Sequence, residues 1–131
     1  MKLPEDVVRL AKGKNLASIV TLMPDGQPQA QLRWIDADDE RLIFNTEPGR
    51  QAARNLRRDP RVTILLHSAD NFYDWAEVRG RVVETIVGDE ARAHIDELSH
   101  KYMGHDFQAP VGPQGRVKLL VEPEHIVTPQ G

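Results

Sequence analysis

The sequence predicts a mainly β fold, an antiparallel barrel or sheet of six strands with helices packed on its outside. Three observations carry that expectation. Six separate runs are rich in β-branched and apolar residues, a composition that fits a pleated, half-buried surface. The strand signals come in groups of three, two and one, with single helical segments between them, so neighbouring strands join through hairpins and not through βαβ crossovers. The chain of 131 residues is one domain's worth, and no repeat or low-complexity linker divides residues 1–131. At this size only about two thirds of the unfolded surface can be buried, so self-association is an expected reinforcement.

Each element follows from its residues. Residues 4–12 read as a short helix: Pro4 suits a first helical position, Glu5 and Asp6 suit the positive end of the dipole, and Gly13 suits a stop. Residues 15–23 (NLASIVTLM) form a strand, Pro24-Asp25-Gly26 a turn, and residues 27–36 (QPQAQLRWID) a second strand, completing a hairpin. Pro28 and the polar positions keep one face of that second strand off the core. DADDE at 36–40 is an acidic turn; it lacks the Gly and the distal Glu of a calcium loop. Residues 41–46 (RLIFNT) are a third strand, and residues 48–59 switch to helical spacing that Pro60 ends. Residues 61–68 form a fourth strand, 69–74 a loop carrying Asn71, Phe72 and Tyr73, and 75–87 a long strand in which Gly80 marks a bulge or bend. Residues 89–102 give the strongest helix, with Asp89 as cap and Ala93, Ile95, Leu98 and Tyr102 as apolar positions. The Gly/Pro-rich stretch 104–115 is long enough for a lid or a substrate rim, and residues 116–122 (RVKLLVE) are the last strand.

Composition excludes several classes of function. There is no Cys, hence no thiol nucleophile, zinc ribbon or iron–sulfur site. No apolar run approaches the roughly 20 residues that span a bilayer, and Met-Lys-Leu-Pro-Glu-Asp lacks the apolar stretch of a signal peptide; a cytoplasmic location without a membrane partner is expected. A net charge of −3 and scarce stacking patterns weigh against nucleic acid. Walker, Rossmann and nucleophile-elbow motifs are absent. The five histidines show no metal-ligand spacing: His94 and His100 lie six apart and do not share a helical face, so exposed or loop histidines are expected and no metal.

The informative stretch is IFNTEPGRQAARNLRRDPR. From Gly49 to Arg61 five arginines face a single acid, Asp59. On a helix Arg50, Arg54 and Arg57/Arg58 fall along one face, and its free N–H groups point at the end of the third strand. Guanidinium forks beside a helix N-terminus suit a phosphate or carboxylates, with Asn45, Thr46 and Asn55 as neutral donors; a solvated arginine face is the competing reading. Trp34, Phe72, Tyr73 and Trp75 could flank a planar ring, although strand aromatics more often fill cores or interfaces. Tyr73, in a polar loop, is the best functional candidate among them. Arg79 and Lys118 suit an interface or a solvated strand equally.

Five stretches in order, LASIVTLMPDGQPQAQLRWID, LIFNTEPGRQAARNLRRDPRV, the aromatic loop with EVRGRVV, ELSHKYMGHDF and RVKLLVEPEHI, resemble the flavin/deazaflavin oxidoreductase B branch of the pyridoxamine 5′-phosphate oxidase-like split-barrel superfamily. The resemblance covers Val7 to about Val127. It implies an FMN-binding-like split barrel that forms a homodimer with cofactor sites at the interface. It implies coenzyme F420, with FMN as the alternative. Phosphate contacts map onto Thr46, Arg50, Arg54 and Asn55, and the strand position facing the deazaflavin ring maps to Gln31, Leu32 and Arg33. Where family members often carry a Lys, this chain has Ala52, so Ala52→Lys is expected to strengthen cofactor binding. The implied activity is an F420-dependent reductase passing a hydride to an electron-poor double bond of a small-molecule substrate. Tyr73, His105 or solvent would supply the proton. An FMN-dependent oxidase or reductase and a non-catalytic F420 carrier are the alternatives.

Overall fold

A computed structural model describes residues 1–130 of the chain. The elements are α1 (Glu5–Lys12), β1 (Ala17–Leu22), β2 (Pro28–Arg33), β3 (Asp36–Ala37), β4 (Leu42–Thr46), α2 (Gln51–Arg58), β5 (Arg61–His67), β6 (Trp75–Ile86), α3 (Asp89–Met103) and β7 (Val117–Val127). The strands make one antiparallel sheet in the order β2-β1-β5-β6-β7-β4-β3. Its curl and flanking helices are those of a split barrel. Seven strands replace the six expected, because the start of the acidic turn pairs as a two-residue strand, Asp36 opposite Ile43 and Ala37 opposite Leu42.

Alternation sets the inside of the curl. β1 buries every second residue, and Val62, Ile64 and Leu66 of β5 point inward between Arg61, Thr63, Leu65 and His67. These side chains join Phe44, Leu119 and Val121, with Val7, Leu10 and Ala11 of α1 closing the same core. β4 is buried at all five positions. Its second face is covered by α3, so Ile43 and Asn45 are enclosed as fully as Leu42, Phe44 and Thr46. β2 is an edge strand, with Pro28, Ala30 and Leu32 exposed, as its polar composition predicts.

Gly80 meets a steric requirement. A Cβ there would lie 2.1 Å from the Glu122 carbonyl oxygen, and the β6–β7 register shifts beside it, between Arg79 and Gly80. The bulge expected at Gly80 is therefore present, and Pro123 of β7 sits opposite it, a tolerated place for a residue without an N–H.

The helices differ from expectation at their ends. α2 begins at Gln51, with Arg50 at the N-cap; Pro48 and Gly49 form the preceding turn and not the first helical residues. α3 is preceded by Gly88 at φ 74°, with no side-chain cap from Asp89. Its inner face carries Ala91, His94, Ile95, Leu98, Ser99 and Tyr102, while Ala93 faces out. His94 is thus buried, contrary to the expectation of exposed or loop histidines. β7 runs on to Val127, five residues past the expected end at 122, because β6 is long enough to pair with it throughout.

Candidate functional site

Several elements end around one cleft of about 340 Å³. β2 contributes Leu32 and Arg33, and Trp34 follows them; the C-terminal end of β4 contributes Asn45 and Thr46; Glu47 and Arg50 come from the turn into α2. Ile95 and Leu98 of α3 form an apolar wall, and Phe107 and Arg116 close it from the loop before β7.

The wall is ordered by aromatic packing. Trp34 stacks on Tyr102 at 5.3 Å with planes 6° apart, and Phe107 meets Trp34 edge-on at 6.3 Å. The Tyr102 hydroxyl accepts a hydrogen bond from the Ile35 N–H at 3.1 Å and donates to the Asn15 carbonyl, tying α3 to the starts of β1 and β3. Phe107 is held by its own N–H, which donates to Asp96 at 3.0 Å.

The rim is cationic. Arg33, Arg50 and Arg116 share the cleft with one acid, Glu47, which lies 3.8 Å from Arg50 and 3.6 Å from Arg116. Burial pushes the Arg33 guanidinium below its usual range, and Arg50 adds to this while Glu47 opposes it. Burial does the same to Arg116, with Glu47 opposing and Arg33 and Arg50 reinforcing. Arg116 is 7% exposed; its guanidinium lies 5.1 Å from the Phe107 ring centre, and its Nε donates to Asn45 Oδ1 at 2.8 Å. Two further groups in the cleft lining are buried and unpaired, Thr46 Oγ1 and Arg33 Nε. A buried donor without an acceptor costs free energy, and an anionic group in the cleft would relieve it.

The expected site residues are distributed unevenly. Leu32, Arg33, Asn45, Thr46 and Arg50 line the cleft. Gln31 accepts from Arg33 at 2.7 Å and so orients it. Arg54 turns back to the Gly49 carbonyl at 3.0 Å, and Arg57 reaches the Pro48 carbonyl at 2.9 Å. Arg50, Arg54, Arg57 and Arg58 thus stand on the exposed side of α2, as expected, but of these four it is Arg50 that lines the cleft. Asn55 is buried on the inner face of α2, donating to Thr21 Oγ1 at 2.9 Å and accepting from Gln51 at 2.8 Å. Arg79 lies elsewhere, beside Arg61 and Arg81 in another hollow, paired with Glu77 at 3.1 Å. Tyr73 is 83% exposed and borders a hollow with Arg9 and Asp74. His105 is exposed, its Nδ1 2.9 Å from the Asp106 carbonyl oxygen. Ala52 is 1% exposed, so a lysine there meets packed protein and not an open anion site; the gain expected from Ala52→Lys is withdrawn.

Sequence reasoning missed Glu47, Phe107 and Arg116 in the cleft. Arg116 left a signal: it stands between Gly115, at φ 71°, and the apolar run of β7, where a tight turn aims one side chain inward.

This fold and cleft define a split-barrel protein with a cationic cleft bordered by Trp34 and Phe107. Residues 3–128 match the pyridoxamine 5′-phosphate oxidase family, and the chain belongs to that family. A solved structure described as an F420 reductase is 31% identical, with a TM-score of 0.84 over 95% of this chain and 98% of that one. The conserved hypothetical protein Rv2991 from Mycobacterium tuberculosis is 24% identical, with a TM-score of 0.74 over 95% and 82% of the two chains. General Stress Protein 26 from Bacillus anthracis is 17% identical, with a TM-score of 0.70 over 93% and 89%. These last two likenesses are of fold. Among the described residues no helix is long and apolar enough to cross a membrane.

Proposed function

We propose that this chain is a reductase that uses F420 to reduce an electron-poor double bond of a small organic substrate. One observation carries the cofactor reading: Thr46 Oγ1 and Arg33 Nε, both buried and unpaired, border the cleft that also holds Arg50 and Arg116. That donor set fits the oxygens of a phosphate or carboxylate. The 31% identity to a protein described as an F420 reductase supports the choice of cofactor.

When bound, the deazaflavin supplies hydride chemistry, and the protein contributes orientation and electrostatics. Arg50, Thr46 and Arg33 hold the anionic part, with Arg54 bracing the turn before α2 through the Gly49 carbonyl. Trp34 and Phe107 exclude water from the apolar wall. Tyr73 and His105 are absent from the cleft lining, so the proton is assigned to solvent. The working unit is a homodimer, because Leu32 and Leu65 stand exposed on the sheet and a twofold contact would cover them in both copies.

Family membership itself favours a second reading, an FMN-dependent oxidase or reductase. Titrating the purified protein separately with F420 and with FMN, followed by absorbance, distinguishes the two. Tight F420 binding, and oxidation of reduced F420 by an electron-poor alkene, are expected. FMN binding alone transfers the assignment to the second reading; F420 binding without turnover leaves a carrier; binding of neither overturns the proposal.

A further inference from the structure

The cleft is backed by a buried polar chain that the proposed reaction does not use. Asn45, at the end of β4, is enclosed by α3. Its side-chain amide touches three groups: the Ala91 carbonyl oxygen at 3.0 Å, His94 Nδ1 at 3.1 Å and Arg116 Nε at 2.8 Å. Two of these have fixed roles. A carbonyl only accepts and an arginine N–H only donates, so the amide nitrogen faces Ala91 and the amide oxygen faces Arg116. Either contact alone would set the orientation, and they agree.

The tautomer of His94 follows. The Asn45 NH2 group faces Nδ1, so Nδ1 must accept and the ring proton must sit on Nε2. That nitrogen has no hydrogen-bond partner; it points toward Asp36 Oδ2 of β3, 3.7 Å away. The surrounding charges are Asp36, Lys12 of α1 at 3.1 Å from Asp36, Lys101 further along α3, and Arg116 behind Asn45. A proton on Nδ1 would set donor against donor at Asn45. Rotating the amide to relieve this would then set its NH2 against the Arg116 N–H.

We infer that His94 is a positioning residue, whose Nε2–H tautomer fixes the Asn45 amide, which in turn holds the Arg116 guanidinium in the cleft. The first two links need no ligand. The consequence for affinity rests on the function proposed above.

The test uses the full-length protein and two variants that differ in whether position 94 keeps an acceptor. His94→Asn returns an acceptor near the Nδ1 position, and His94→Leu does not. In wild-type protein labelled with 15N, the His94 ring should show a protonated Nε2 and an acceptor Nδ1, and the Arg116 Nε–H should exchange slowly with solvent. His94→Leu should speed that exchange and raise the dissociation constant for F420 or FMN about tenfold, the scale of one hydrogen bond to a charged group; His94→Asn should recover most of both. In an Arg116→Ala background the His94 variants should bind alike. A protonated Nδ1 in the wild type overturns the inference, as do equal exchange rates in the Leu and Asn variants or additive effects with Arg116→Ala. If wild type binds neither cofactor, the function proposal fails, yet the tautomer and the exchange rates still decide the role of His94. If His94→Leu does not fold, the wild-type spectrum decides it.

Discussion

At the level of single residues, the cleft contains groups that are worse off empty than filled. Thr46 is fully buried and its hydroxyl is unpaired. Thr46→Val keeps the shape and removes the unpaired group, so thermal unfolding should shift upward while F420 affinity falls by about 1 kcal/mol, the net worth of one hydrogen bond. Arg50→Ala and Arg33→Ala should each weaken F420 binding by about 1.5–3 kcal/mol, the scale for charged hydrogen bonds. Arg41 pairs with Glu84 and Glu122 away from the cleft, so Arg41→Ala should leave the isotherm unchanged. Equal losses in all three would indicate diffuse charge attraction instead of a site. The basic island was legible in the sequence because charge density needs no tertiary information. The assignment of each arginine was not: a flexible side chain chooses among nearby carbonyls, and Arg54 and Arg57 find those of Gly49 and Pro48.

Among the elements, β-branched runs and turn residues located all six long strands, because alternation and turn chemistry are local. The two-residue β3 has no such pattern; it exists because Asp36 and Ala37 come to lie beside Ile43 and Leu42. Gly80→Ala should cost about 3 kcal/mol in urea unfolding, since its Cβ would stand 2.1 Å from backbone that only a shift of β7 can clear. A cost under about 0.5 kcal/mol, typical of a surface change, would show the bulge to be soft. Ala52→Lys, on the buried side of α2, should lower stability without strengthening cofactor binding. Tighter binding in a well-folded variant would restore the open anion site expected from the sequence.

The whole molecule adds the titration behaviour. Burial pushes the Asp36 carboxyl up, but His94, the Ala37 N–H and Lys12 outweigh it and hold the group well below the usual carboxylate range. Its stabilisation is therefore complete above the unfolded value, about 3.9, and is lost as pH falls through the lower folded value. Burial likewise lowers Lys101 to about 8. The unfolded chain then binds more protons between about pH 8 and 10.4, so Lys101 makes stability rise with pH across that window. Chemical denaturation of wild type against Asp36→Asn and Lys101→Met should show each variant losing its own slope, the first below about pH 4 and the second above about pH 8. Light scattering at micromolar concentration should give a dimer; a monomer would remove the twofold contact from the proposed function.

Some of this protein was determined by the sequence alone. Hairpin order, an edge strand with one polar face and a basic arginine island all depend on neighbours within a few residues. Only the folded chain decided which side chains share the cleft. Arg33, Thr46, Arg50, Phe107 and Arg116 come from four separated segments, and their meeting depends on how the sheet curls and where α3 lies across β4. The burial of His94 has the same origin: its spacing on α3 gave it a face, and only the contact of that face with Asn45 and Asp36 gave it neighbours.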